Sequence, residues 1–274
     1  MSFVGGPDVA FTCLIPVWEG DDAGCFATAI QSVAASTLTP NAILIAQDGL
    51  LPAPLAAAVR LATETLGCRL VVNPGPRGLQ YNLNNAMRTV DTAYVARFDA
   101  DDVNLPDRFA AQVAFARSNP DVAAFGGAIL EFQPDGRTRR RTTPQTHESI
   151  VRFAAWRNPI NHMTAFFRSD AFRAAGGYPD IPLKEDYGLW LAMLARGERL
   201  ANMAEVLVRA RLGEGFHRRR TGWKTLRSEW EIYRLKSRAP EIQASAAALA
   251  LMLRSAALAW PGPARLAYDR VLRR

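Results

Sequence analysis

The first half of the chain alternates short apolar runs with helical stretches of about a dozen residues, and this alternation limits the possible folds more than any other feature. The apolar runs are Phe11–Val17, Ala42–Ala46, Arg69–Asn73, Tyr94–Phe98 and Val122–Gly126. Gly24–Ser36, Pro52–Leu66 (proline at its start), Leu79–Thr89 and Pro106–Ser118 lie between them and read as helices. Strands and helices in this order build βαβ units, so the expectation is an α/β fold: a mainly parallel central sheet flanked by helices. In such a sheet, ligands bind beyond the carboxyl ends of the strands. Three polar groups fall there: Trp18-Glu19 after the first strand, Asp48 after the second, and Asp99-Ala100-Asp101-Asp102 after the fourth. They are distant in sequence, and the topology brings them to one crevice.

The second half is less regular. Arg137–Arg141 reads as a basic surface turn, Thr146–Trp156 as a helix capped by Thr146, and Met163–Phe167 as a strand. Ser169–Ala175 reads as a short helix closed by Gly176-Gly177, and Glu185–Arg196 as a longer one. From Gly222 onward the chain reads as wholly helical, a C-terminal extension. The expected division is a nucleotide-binding and catalytic domain over residues 1–214 and a basic helical segment over 215–274. Ala244–Trp260 is the best candidate for a membrane span, but it is at the lower limit of length and carries Arg254 near its middle.

Charge is uneven. Residues 1–214 hold 20 Lys and Arg against 22 Asp and Glu, whereas 215–274 hold 13 against 4, so the net +7 comes from the last fifth of the chain. A basic end of this kind suits an anionic partner, a lipid surface or a nucleic acid, or else a solvated helical face. Arg218–Arg220, Lys224, Arg227, Arg234, Lys236 and Arg238 are interleaved with Trp223, Trp230 and Tyr233, a composition suited to an anionic membrane surface. Arg218–Arg220 also suit a donor or acceptor phosphate. Cys13, Cys25 and Cys68 have no metal-type spacing and read as small thiols in a reducing compartment. Met1–Asp8 has no signal-peptide pattern, and the expected location is cytoplasmic, with contact to the inner face of the cell membrane.

The acidic run is the strongest local chemical signal. Carboxylates two apart at a strand end supply hard oxygen ligands for Mg²⁺ or Mn²⁺, which in turn bridge phosphates. The plainer reading is a capped turn before the next helix, with Asp102 as its cap. Glu185-Asp186 at a helix start reads either as acids favoured by the helix dipole or as a proton acceptor. The Gly75–Gly78 loop fits a phosphate cradle or a simple turn equally well. His162 reads as structural, with a metal or acceptor contact as the alternative. Trp190 reads as core, with the floor of a sugar site as the alternative.

The ordered set Pro16-Val17-Trp18-Glu19, Gln47-Asp48-Gly49, Arg77-Gly78-Leu79, Asn84, Asp99-Ala100-Asp101-Asp102 and Glu185-Asp186 resembles the family 2 inverting glycosyltransferases, which have the GT-A (Rossmann-like) fold. Leu105–Phe109, Arg157–His162, Gly176-Gly177-Tyr178, Glu185–Trp190 and Gly222-Trp223-Lys224 are similar to a narrower bacterial group, the amylovoran-type transferases that build exopolysaccharide, capsule and lipopolysaccharide. The resemblance covers roughly residues 10–235. It implies transfer of a sugar from a nucleotide-sugar donor, by resemblance a UDP-sugar with GDP and dTDP open, to a saccharide or lipid-linked acceptor. It implies that Pro16, Trp18 and Glu19 line the base and ribose pocket, that Asp48 bonds the base, and that Arg77, Gly78 and Ala100 approach the nucleotide. Asp101 would bind the metal, Asp99 the ribose or the metal's shell, and Asp186 would be the catalytic base with Glu185 beside it. Two positions depart from the pattern: Gln47 stands where the family often has Asp, and Trp18 where it usually has Tyr.

Two other readings compete. A sugar-phosphate nucleotidyltransferase would share fold and metal, but it wants a Gly-rich basic loop after the first strand, and Pro16–Asp22 is acidic and Gly-poor. A non-enzymatic module binding membrane or nucleic acid would leave Asp99, Asp101 and Asp186 without a purpose. The transferase reading includes no nucleic-acid partner.

Overall fold

The computed structural model describes residues 9–133, 136–212 and 223–259, with side chains from 225 to 256 in the last stretch. Met1–Asp8, Arg218–Arg220, Gly222, the side chains of Trp223 and Lys224, and Trp260 onward lie outside the described residues. The first half runs β1 (Phe11–Trp18), α1 (Ala23–Ala34), β2 (Ala42–Asp48), α2 (Ala53–Leu66), β3 (Arg69–Asn73), α3 (Leu79–Met87), β4 (Tyr94–Arg97), β5 (Val103–Asn104) and α4 (Arg108–Ser118). The second half runs β6 (Val122–Phe132), β7 (Thr138–Arg141), α5 (His147–Ala154), a 3₁₀ turn (His162–Thr164), β8 (Phe166–Arg168), α6 (Ser169–Ala174), α7 (Glu185–Ala195), β9 (Arg199–Arg211), α8 (Trp223–Lys236) and α9 (Ala244–Ala259).

The strands form one nine-stranded sheet in the order β3-β2-β1-β4-β8-β6-β9-β5, with β7 added on β6. The expectation of a parallel sheet holds for β3-β2-β1-β4. Beyond β4 the sheet is mixed: β8 is antiparallel to both β4 and β6, β9 is parallel to β6, and β5 is antiparallel to β9. Three further readings are corrected. Arg137–Arg141 is not a turn, because Thr138–Arg141 pairs with β6 as an exposed edge strand. Met163–Phe167 splits into the 3₁₀ turn and a shorter strand. Of the end expected to be wholly helical, the described residues 223–259 form two helices joined by a turn, and among the described residues no helix is long and apolar enough to cross a membrane.

Local chemistry sets the helix ends. Asp22 caps α1 through the Cys25 amide, Gly67 closes α2 in the left-handed region, and Thr146 and Ser149 form a reciprocal capping box on α5. Both faces of the sheet are covered, so β1 reads as an unbroken apolar run. Phe11, Cys13, Ile15 and Val17 pack against α1, α2 and α4 on one face, while Leu14 faces α3, α5 and α7 on the other. Ile232, Ala239, Ile242 and Ala247 of the C-terminal helices join the second core, so α8 and α9 pack directly on the α7 side. The three cysteines are unpaired.

Phe166 is fully buried where β8 crosses the first core, with ring centroids 5.4, 5.3 and 5.3 Å from those of Phe11, Tyr94 and Phe125. Phe166→Ala removes a ring from the junction of the parallel and mixed halves. It should cost about 3–5 kcal/mol, read as a lowered urea midpoint.

Candidate active site

The first part of the site is built from β1, β2 and the start of α3. Trp18, at the end of β1, is half-exposed, and its indole lies over Gly20, where a Cβ would stand 2.3 Å from the ring. Pro16 is buried in β1 opposite Ala46, past the end of the β4 ladder, which stops at Leu14–Arg97. The buried carboxylate of Asp48 accepts from the backbone amides of Arg77 (2.9 Å) and Gly78 (2.8 Å), so it ties the 74–78 loop over the end of β2. Those two amides are thereby taken, and the loop is a turn anchored by Asp48. Gly78 caps α3 with φ 87° and Gly49 has φ 79°, both in the left-handed region that favours glycine. Beside them lies a cavity of about 250 Å³ lined by Glu19, Asp48, Gly49, Leu50 and Pro74–Pro76. The Arg77 guanidinium sits 5.0 Å above the Tyr81 ring.

The acidic loop leaves β4 at Arg97. The Arg97 side chain is 3% exposed, and its Nη1 lies 2.5 Å from Asp99 Oδ2. Beneath it, fully buried Arg108 donates to Arg97 O (2.7 Å), Gln112 Oε1 (3.0 Å) and Asn104 Oδ1 (3.2 Å), between the rings of Phe98 and Phe109. Asp102 does not cap the next helix. Its Oδ1 accepts from the Arg211 amide of β9 (2.8 Å), and its Oδ2 is buried without a hydrogen-bond partner. Burial, then Asp99 and Asp101, pushes its carboxyl up to about 8. Burial and Asp99 raise Asp101. Asp21, from the loop after β1, is pushed up to about 6 by burial, with the charges of Asp101 and Asp99 adding to the effect. The loops after β1 and β4 therefore bring four carboxyls into mutual electrostatic reach, with Ala100 buried among them.

This donor set suits a hard divalent cation. Among the described residues no three His, Cys, Asp or Glu side chains converge as a ready-made metal cage. Mg²⁺-type ions are instead held by one or two carboxylates plus substrate phosphate and water, and Asp99 with Asp101 supplies that number. The mutual repulsion that raises Asp101 is what a cation would relieve.

The third group comes from α7. Leu183 adopts φ 64°, a left-handed conformation uncommon for leucine, and the helix then opens with Glu185-Asp186. Asn158, from the loop after α5, donates to Asp186 Oδ2 (2.5 Å), and the Tyr187 amide donates to Oδ1 (2.7 Å). Burial raises Asp186, while those two bonds and the positive charges of Arg97 and Arg141 act against it. Glu185 is buried and pushed up to about 7 by burial and by Asp186. Arg97 thus acts electrostatically on Asp99, Asp101 and Asp102 on one side and on Glu185 and Asp186 on the other. The two acid groups, eighty-odd residues apart, share one neighbourhood.

Two alternatives fall away. His162 is buried, bonds Tyr178 Oη through Nε2 (3.0 Å), and is held well below its ordinary pKa by burial and by Arg97, so it is a neutral structural group. Trp190 is fully buried in the core and floors no sugar site. The sequence reading gave no role to Arg97, Asp21, Asn158 or Arg211. The available signal for Arg97 was a basic residue ending an otherwise apolar strand, Tyr94-Val95-Ala96-Arg97.

Comparison with known proteins supplies the family and the fold. Residues 12–174 match the model of glycosyl transferase family 2. The amylovoran biosynthesis glycosyltransferase AmsE of Erwinia amylovora is 33% identical over 226 residues, covering 82% of this chain and 85% of the relative. A UDP-Gal:alpha-D-GlcNAc-diphosphoundecaprenol beta-1,3-galactosyltransferase of Escherichia coli is 28% identical over 230 residues, 82% of this chain and 83% of that one. Among solved structures, S. aureus TarS 1-349 in complex with UDP-GlcNAc superposes with a TM-score of 0.69 at 13% identity, over 89% of this chain and 72% of that one. The mannosyltransferase PcManGT of Pyrobaculum calidifontis, in complex with GDP-Man and Mn²⁺, gives 0.63 at 18%, over 98% and 82%. The fold is GT-A, and the nucleotidyltransferase and non-enzymatic readings are set aside. With a family model matched over more than half its length and a relative one-third identical over 82% of it, the chain belongs to glycosyl transferase family 2 and is a nucleotide-sugar glycosyltransferase.

Proposed function

We propose that this enzyme transfers a sugar from a UDP-sugar to a hydroxyl of a saccharide carried on a lipid diphosphate, with inversion at the transferred carbon, using Asp186 as base and a divalent cation at Asp101 and Asp99. The observation that carries the reading is the shared neighbourhood of the Asp99–Asp102 loop and Asp186 about Arg97. A UDP donor is supported by the relative that uses UDP-Gal and by the TarS complex with UDP-GlcNAc. A lipid-linked acceptor is supported by the same relative, which acts on a diphosphoundecaprenol saccharide.

In this mechanism Trp18 offers an exposed ring for stacking, and Glu19 and Asp48 line the base and ribose pocket, with Pro16 setting the strand that carries Trp18. Arg77, Gly78 and Ala100 lie along the nucleotide. Asp101 and Asp99 would hold a Mg²⁺ or Mn²⁺, which when bound would supply Lewis-acid charge to the departing diphosphate. Asp186 takes the proton of the acceptor hydroxyl, and its raised pKa makes it a stronger base than an ordinary aspartate. Asn158 and the Tyr187 amide fix its carboxylate plane, and Glu185 stands beside it, buried in the first turn of α7. A single displacement needs no protein nucleophile.

The acceptor places the enzyme at an anionic membrane surface. On α8, Arg227, Trp230 and Arg234 follow one another at helical spacing and are exposed, and on α9 Leu249, Met252 and Leu253 do the same. The chain should co-sediment with phosphatidylglycerol-containing vesicles and not with neutral phosphatidylcholine vesicles, and Trp230→Ala should weaken the association. Equal binding to both vesicle types would remove the proposal.

UDP-glucose, UDP-galactose and UDP-N-acetylglucosamine, each offered with GlcNAc-diphosphoundecaprenol, should distinguish the donor by UDP release. Asp101→Ala should abolish Mn²⁺-dependent UDP binding in calorimetry; binding at wild-type affinity would overturn the metal assignment. Asp186→Asn should keep UDP binding and lose turnover by about 10²-fold or more. In the wild type, kcat should fall on acidification with a midpoint above the ordinary aspartate value of about 4, because the base acts only when ionised and its pKa is raised.

A further inference from the structure

We propose that the C-terminal helices position the catalytic base: α8 and α9, through buried Glu229, clamp the two backbone segments that hold Asp186. This rests on the reading of Asp186 as the base. Asp186 is held by its own helix start, residues 182–187, and by the chain after α5, from which Asn158 donates to it. Each segment is fastened separately to α8–α9. On the first, Lys184 pairs with Glu229 Oε1, and Ser228 Oγ donates to Pro182 O (3.2 Å). On the second, Lys236 Nζ donates to Ala155 O (2.8 Å), and Arg254 Nη2 donates to Trp156 O (2.6 Å). Arg254 Nη1 also lies 3.3 Å from the same Glu229 oxygen, so this one carboxylate ties the two segments together. Tyr187, the neighbour of the base, bonds Ala154 O through its hydroxyl and lies beneath the Lys236 ammonium, 5.4 Å from the ring centroid.

Three observations separate positioning from simple adhesion. Ile232, Ala239, Ile242 and Ala247 already join these helices to the core, so attachment does not depend on the charged cluster. Burial works against the charge of Glu229, although Lys184 and Arg254 more than offset it. A buried ion network seldom exceeds well-packed apolar side chains in stability, and what it adds is fixed direction between named atoms. Finally, the contacts end on the carbonyls of residues 155, 156 and 182 and on Lys184, next to Leu183 with its left-handed backbone, a segment whose own conformational preference does not hold it in place.

The test uses the full chain with Glu229→Gln. Hydrogen exchange of the amides in 183–187 and 155–158 should rise by about tenfold or more, while that of Arg77 and Gly78 stays put. With the fastest donor of the UDP-sugar panel and GlcNAc-diphosphoundecaprenol, kcat should fall about tenfold or more at unchanged donor KM, since a small misplacement of a catalytic group is costly. Donor hydrolysis by water should fall in parallel, and Glu229→Asp should recover part of the rate. Unchanged exchange and kcat would overturn the proposal, and so would a kcat loss matched by loss of Mn²⁺-dependent UDP affinity. If Glu229→Gln does not fold, Lys236→Met, which cuts the link to Ala155 and the cation over the Tyr187 ring but leaves Glu229 in place, carries the same expectations for 155–158. An inactive Asp186→Asn beside an unimpaired Glu229→Gln removes the clamp alone, whereas full turnover in Asp186→Asn removes the base reading.

Discussion

Six carboxyls crowd the carboxyl end of this sheet: Asp21, Asp99, Asp101, Asp102, Glu185 and Asp186. The Arg97 guanidinium, buried among them, is a positive charge that acts on both groups. Burying an arginine is tolerable only where its field is used. Here the acids repay its desolvation, and the net effect holds Arg97 in its charged form. Arg108 lies below it and fixes the Arg97 carbonyl rather than an acid, so it sets the backbone from which the acidic loop departs. Burial pushes Arg108 the other way, down to about 10, and its three neutral acceptors satisfy its donors instead.

The site costs the fold stability. A carboxyl whose folded pKa lies above its unfolded value binds protons more tightly when folded, so stability falls as pH rises between the two values. Asp102, pushed up to about 8, Glu185 to about 7 and Asp21 to about 6 all act in this direction, so the fold is weakened by them at neutral pH. A domain with continuous cores on both faces of a nine-stranded sheet can bear that cost.

Much of this was legible in the sequence, and the limits have physical causes. The parallel half was readable because β1, β2 and β4, largely buried, are apolar runs ending in a polar turn, and the exposed edge strand β3 keeps the same apolar run. Asp48, Asp99, Asp101 and Asp186 were visible as acids at strand or helix ends. β7 was not readable, since its Thr-Arg-Arg-Arg sequence has no apolar alternation and it becomes a strand only by pairing with β6. β9 was missed because register shifts near Met203–Val206 break its period. Asn158 and Arg211 gain their roles from contacts 28 and 110 residues away, and Arg97, which pairs with Asp99 two positions on, meets Glu185 and Asp186 only through the fold, which local pattern does not encode.

The mixed half of the sheet explains why this site needs more than a parallel α/β layer. A parallel sheet alone presents Trp18, Asp48 and the acidic loop along one edge, which is enough to hold a nucleotide. The proposed base Asp186 comes from α7, and an antiparallel β8 next to β4 turns the chain so that α7 follows on the other core face. β9 then returns beside β6 and delivers the Arg211 amide to Asp102, locking the acidic loop from its far side. In the proposed mechanism donor and acceptor machinery are thus built on different halves of one sheet, and Arg97, at the last parallel strand before the change of direction, is where the two halves meet.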